Sequence, residues 1–82
     1  MDNLYENVTL TPIEIDAIEI FFKMGVVYAS SLQRNLEIGF GSASRIIDSL
    51  EEKHIVSQST GEKKRKLLIT REEFELLKNK TK

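Results

Sequence analysis

Eighty-two residues, 40% hydrophobic and 30% charged, make one globular domain with a modest core; neither disorder nor membrane insertion fits, since nothing approaches the run of about 18 apolar residues that spans a bilayer. Twelve bases against thirteen acids leave a net charge of −1, so overall charge does not announce a nucleic-acid binder. With no cysteine there is no disulfide framework and no thiolate metal site, and the acidic start MDNLYENVTL lacks the basic segment of a signal peptide, so a cytoplasmic location is expected.

The charge is unevenly placed. Residues 1–22 carry Asp2, Glu6, Glu14, Asp16 and Glu19 and no base, whereas Lys63, Lys64, Arg65 and Lys66 are four consecutive cations. Such a chain can turn a basic face to phosphates and its acidic end away. Taken alone, a basic run is more often solvated surface.

In chain order, residues 1–10 have no period and read as an irregular arm, with Leu4, Tyr5, Val8 and Leu10 as loose anchors rather than core. Thr11 at an N-cap, Pro12 at the first helical position and Glu14 three residues after the threonine predict a capped helix. Ile13, Ala17, Ile20, Phe21 and Met24 recur at helical spacing, Ile18 and Phe22 widen the stripe, and Gly25 closes it. A Met and Phe stripe of this kind is core far more often than a ligand pocket. Val26, Val27 and Tyr28 predict a very short strand.

Ser30 or Ser31 then caps a short second helix in which Leu32 and Leu36 face one way. Gly39 is expected to end it in a left-handed conformation, with Ile38 and Phe40 sealing the corner. A third helix, about residues 41–53, carries the stripe Ala43, Ile46, Ile47 and Leu50. Its other face offers Ser42, Arg45 and Ser49, small hydroxyls and one basic fork that can approach a DNA groove closely. Two short helices with glycine in the turn suggest a helix-turn-helix, the second being the recognition helix.

Ile55 and Val56, then Leu67 to Thr70, flank a polar, glycine-containing loop and read as a hairpin with its tip at Gly61 to Lys64. Its base packs through Ile55, Leu67 and Ile69. This hairpin, a wing of about 58–66, puts the basic run beside the groove. In the tail, Thr70 caps a last helix with Glu72 and Glu73 near its positive end and Lys78 and Lys80 near its negative end. Phe74 and Leu77 fold it onto the first helix. The fold class is α+β, mainly α: a winged helix-turn-helix of a three-helix core, a β-hairpin wing and a C-terminal helix. Its divisions are an arm (1–10), a DNA-binding domain (11–70) and a C-terminal helix and tail (71–82).

Catalytic chemistry finds no support. His54, the only histidine, has no second histidine or cysteine to share a metal, so a structural or solvent-facing role is expected. Glu51 and Glu52 are adjacent and point about 100° apart on a helix, too divergent for an acid/base pair. No GxxxxGK[ST] phosphate loop exists, and Ser30, Ser31, Ser42 and Ser44 lack an evident histidine partner. No enzyme, cofactor or metal is expected.

The run SSLQRNLEIGFGSASRIIDSLEEKHIVSQSTGEKKRKLLIT resembles the gamma domain at the C-terminal end of the bacterial DNA translocase FtsK, whose members read SSxQRxLxIGYNRAARxIExLExxGIV before a glycine-containing wing. The likeness spans Ser30 to Thr70, and the first helix agrees in kind rather than in letters. It implies a winged helix that binds short G-rich, strand-biased duplexes and touches the recombinase XerD. By the same likeness Arg45 matches a base-reading arginine, Gln33 and Arg34 match positions near the backbone, and Lys63 to Lys66 lie in the wing. Where the family has Asn-Arg, this chain has Gly41 and Ser42, so one arginine suited to guanine is missing and the G-rich target is not carried over.

The expected DNA surface is therefore Ser31, Gln33, Arg34, Gly41, Ser42, Ser44, Arg45 and Ser49, with Lys63, Lys64, Arg65 and Lys66 on phosphates. Binding to double-stranded DNA would serve a small regulator of transcription, plasmid maintenance or mobile-element transfer, or a DNA-processing accessory factor. One small domain has limited contact area, so useful affinity calls for a homodimer, a tandem array or attachment to a larger assembly. The competing reading is a protein-interaction adaptor that docks its acidic first helix or C-terminal helix on a partner such as a recombinase or polymerase.

Overall fold

The computed structural model describes residues 5–58 and 65–81. Leu4 and the expected wing tip, Gly61 to Lys64, lie outside the described residues. Four helices form in order, α1 (Pro12–Met24), α2 (Ala29–Leu36), α3 (Phe40–Glu52) and α4 (Arg71–Thr81), so the described part of the chain is mainly helical. No helix among the described residues is long and apolar enough to cross a membrane.

Local chemistry starts and stops α1 as expected. The Thr11 amide donates to Glu14 Oε1 at 2.9 Å, the Glu14 amide donates to Thr11 Oγ1 at 3.3 Å, and Gly25 closes the helix at φ 79°. Ala17, Ile18 and Phe21 form the fully buried centre of the stripe, whereas Ile13 and Met24 are exposed. These two sit on the end turns, where the helix runs past what covers its middle.

The corner between α2 and α3 is built differently from the expectation. No serine caps α2: Tyr28 is the extended N-cap, no side chain bonds the first turn, and Ser31 lies inside the helix and is buried. The left-handed residue is Glu37, at φ 54°, while Gly39 is extended at φ −76° and opens α3. The chain thus reverses one residue pair earlier, at about 1 kcal/mol for a left-handed non-glycine residue. Ile38 packs against the core, but Phe40 is 64% exposed and seals nothing.

At its other end α3 stops in a Schellman turn. The Ile55 amide donates to the Leu50 carbonyl at 2.9 Å and the His54 amide to the Glu51 carbonyl at 3.0 Å, with His54 left-handed at φ 62°. Leu50 and Ile55, which accompany such a turn as its apolar pair, are both fully buried. His54 has the structural role allowed for it, as backbone, while its side chain stays exposed.

Beyond the turn, Val56 bridges Leu67 and Val27 bridges Arg65, both antiparallel. The Ser57 amide donates to the Lys66 carbonyl at 2.9 Å and the Leu68 amide to the Ile55 carbonyl at 2.8 Å. Among the described residues this pairing consists of isolated bridges rather than a continuous ladder, so less strand forms than the sequence pattern suggests.

The N-terminal arm is irregular yet not loose. Tyr5 and Leu10 are buried members of the core, and the Tyr5 hydroxyl donates to the His54 carbonyl at 2.8 Å, tying the arm to the end of α3. Burial, and secondarily the Glu73 carboxylate, push the Tyr5 phenol above its ordinary range. Helix α4 is capped by Thr70, whose Oγ1 accepts from the Glu73 amide at 3.1 Å. It folds onto α1 through Phe74, whose ring lies 5.6 Å from that of Phe22, and through Arg71 and Lys78, which both pair with Glu19.

Candidate nucleic-acid interface

Helix α3 has two unlike halves. From Phe40 to Ile47 it contains no acid and ends its first two turns with Arg45; from Asp48 to Glu52 it carries three carboxylates. The buried stripe Ala43, Ile46, Ile47 and Leu50 holds it against α1 and α2 as expected, and this places Gly41, Ser42 and Arg45 in solvent. Ser44 is half-buried. On α2, Arg34 is exposed, Gln33 is half-buried, and Ser31 is too buried to present its hydroxyl to a duplex.

Ser49 belongs to a different structure from the one expected. Its hydroxyl donates to Glu14 Oε2 at 2.7 Å, and Lys53 Nζ donates to both oxygens of the same carboxylate at 2.6 and 2.8 Å. One step of four residues puts Ser49 and Lys53 on one flank of the helix end, next to Ile46, and that flank meets the start of α1. Burial of Glu14 pushes its carboxyl upward, but Lys53, Thr11 and Ser49 together outweigh this and hold it below the ordinary carboxylate range. Ser49 therefore fastens α3 to α1.

Arg65 is likewise spoken for. Its guanidinium pairs with Glu51 and, at 3.8 Å, with Asp48, and its side chain is only 20% exposed. Two α3 carboxylates would otherwise face this segment unpaired, so the arginine ties the segment after α3 back onto that helix. Lys66 is exposed; Lys63 and Lys64 lie outside the described residues.

Not every cation among the described residues is taken up in this way. Lys53, Arg65, Arg71 and Lys78 are neutralised by carboxylates of the chain. Arg34 on α2, Arg45 on α3 and Lys66 in the segment that follows are exposed and form no ion pair among the described residues, and so are Lys23 on α1 and Lys80 on α4, the latter donating to the Glu6 carbonyl. The family model of the FtsK gamma domain matches residues 12–70, covering α1, α2, α3 and the segment that carries Arg65 and Lys66. The chain belongs to the FtsK gamma domain family.

Its relatives share this FtsK gamma frame at substantial identity. The chain is 43% identical over 60 residues, 73% of its length, to the DNA translocase FtsK of Caldanaerobacter subterraneus subsp. tengcongensis. It is 41% identical over 59 residues, 72% of its length, to the DNA translocase FtsK of Clostridium tetani, and 36% identical over 62 residues, 76% of its length, to the DNA translocase SpoIIIE of Bacillus subtilis. The match spans 8% of each of these three proteins.

Within the FtsK gamma frame, sequence reading missed the Glu14 network and the clamp of Arg65. Glu14 was legible as half of a capping box, but nothing local says that one carboxylate serves both the cap and a lysine 39 residues away. For Arg65 the missed signal was the acid excess at the end of α3, which needs a cation from elsewhere in the chain.

Proposed function

We propose that this domain binds double-stranded DNA selectively, with the first half of α3 in the major groove and the arms around residues 58–66 forming a basic wing along the backbone. The observation that carries the reading is the first half of α3, an acid-free stretch whose Arg45 is exposed and without an ion pair among the described residues, within the part of the chain that the FtsK gamma model matches. Arg45 is the one base on the exposed face of α3 and would read a guanine edge through its two-pronged guanidinium. Ser42 and Ser44 make close contacts beside it, Gly41 lets the backbone approach, and Arg34 and Lys66, with Lys63 and Lys64, take phosphates. The acids Asp48 and Glu52 are exposed on the second half of α3 and repel phosphates there, which tilts the helix so that only its first turns enter the groove.

Membership in a family found in DNA translocases supports this reading, and a recognition module carried on a larger DNA-handling protein, or a small accessory factor or regulator acting as a dimer, would supply the contact area that one domain lacks. The test is selection from a randomised duplex pool at two salt concentrations. An enriched motif supports selective readout, and its symmetry reports a dimer. Weak, salt-sensitive binding without a motif would reduce the function to a phosphate grip.

A second reading has its own observation. Leu76 is 61% exposed beside a shallow groove lined by Tyr5, Glu73, Leu77 and Lys80, a surface on which a protein such as a recombinase or polymerase could dock. An adaptor of this kind would be indifferent to Arg45→Ala and sensitive to Leu76→Asp.

A further inference from the structure

Phe40 is the most exposed large apolar side chain among the described residues, 64% open to solvent at the first position of α3. It contributes nothing to the core and has no aromatic or cationic partner among the described residues, whereas Phe21 and Phe74 are fully buried and Phe22 packs on Phe74. Next to it Gly41 poses the same question from the backbone. No positive φ requires glycine there, and a Cβ built on it would meet nothing within 4 Å. Glycine within a helix costs about 0.5–1 kcal/mol relative to alanine, so neither backbone conformation nor packing explains it. Space next to Gly41 is being left open on the outside of the molecule, at the turn where Phe40 projects.

The first turn of a recognition helix is the part that reaches base edges. A phenyl ring has no donor or acceptor, so it reads neither a hydrogen-bonding edge nor a phosphate; the apolar group that a major groove offers is the C5 methyl of thymine. We propose that Phe40 reads a thymine methyl, with Gly41 allowing the close approach, so that the target combines a thymine with the guanine read by Arg45. This rests on the DNA-binding reading above. It adds a specificity-determining residue and a base class to it.

The test uses the full 82-residue chain. Duplexes carrying the motif enriched by the wild type are remade with uracil in place of each thymine in turn, which removes the methyl and leaves the hydrogen-bonding edge intact. Affinities are then compared for wild type, Phe40→Ala and Phe40→Leu. One uracil is expected to weaken wild-type binding about fourfold, the worth of one buried carbon, to be without effect in Phe40→Ala, and to keep part of its effect in Phe40→Leu. Thermal melts of both variants should match the wild type, because the ring is exposed. A motif whose thymines are all indifferent to uracil, or a uracil effect equally large in Phe40→Ala, would overturn the assignment while leaving DNA binding by Arg45 intact. Failure of the wild type to enrich any motif would overturn the underlying reading and this assignment with it.

Discussion

The two ends of α3 are thirteen residues of one helix put to opposite uses. At the far end, Ser49 and Lys53 hold Glu14 of α1, Glu51 and Asp48 hold Arg65, and the Schellman turn is fastened by the Tyr5 hydroxyl. At the near end, Gly41, Ser42 and Arg45 are exposed and no such bond holds them among the described residues. The proposed reading asks for this arrangement, because any intramolecular partner at the tip would have to be displaced before DNA could be bound. Two of the acids at the root, Asp48 and Glu51, have a partner there in Arg65.

Breaking the root should cost stability before it touches readout. Leu50→Ala removes the fully buried residue at the centre of the root and is expected to cost about 2–5 kcal/mol in a denaturant melt, the range for large cavities. Lys53→Met leaves the Glu14 carboxylate with only Thr11 and Ser49 and should cost about 1.5–3 kcal/mol. The same bond has a pH signature. Because Glu14 titrates below its unfolded value, its stabilisation is complete above the unfolded carboxyl range and is lost as pH falls through the folded one. The stability gap between wild type and Glu14→Gln should therefore shrink between about pH 5 and pH 3, and a gap that stays constant would show that the carboxylate charge is not what fastens the helices.

Changes at the tip should do the reverse. Arg45→Ala is expected to weaken specific binding by about 1–3 kcal/mol, measured by titration of the selected duplex, with an unchanged melt. Lys66→Gln should lower affinity for all duplexes and reduce the slope of log affinity against log salt by about 0.9, whereas Arg65→Gln should loosen the segment after α3 without that signature. Smallest and sharpest is Gly41→Ala. It should stabilise the fold by about 0.5–1 kcal/mol while weakening DNA binding, because the added methyl meets nothing in the free protein and the duplex in the complex. A variant that gains stability and keeps full affinity would end the argument for close approach at this turn.

Much of the fold was legible because the signals are local. The capping box of Thr11 and Glu14, the closing Gly25, the stripe Ala43, Ile46, Ile47 and Leu50, and the cap of Thr70 each depend on residues within a few positions of one another. The corner was misread because a glycine is the usual left-handed residue, yet Glu37 takes that place and Gly39 is free to start the next helix. Among the expected site residues, Arg34, Gly41, Ser42 and Arg45 are exposed as helical period implies, whereas Ser31 is buried and Ser49 and Arg65 are held by carboxylates, because whether a polar side chain is free depends on what the fold brings to it.

That division has a physical reason. Helix caps, helical faces and turn residues are decided by backbone geometry over a few residues, and the amino-acid sequence states them directly, down to the resemblance that places the chain in its family. Which charges remain available is decided by pairings across 14, 35 and 39 residues, Arg65 with Glu51, Ser49 with Glu14 and Lys53 with Glu14. Only the packing of α1, α3 and the segment around Arg65 brings those groups within reach, so only the tertiary structure separates the cations that hold the protein together from those left exposed.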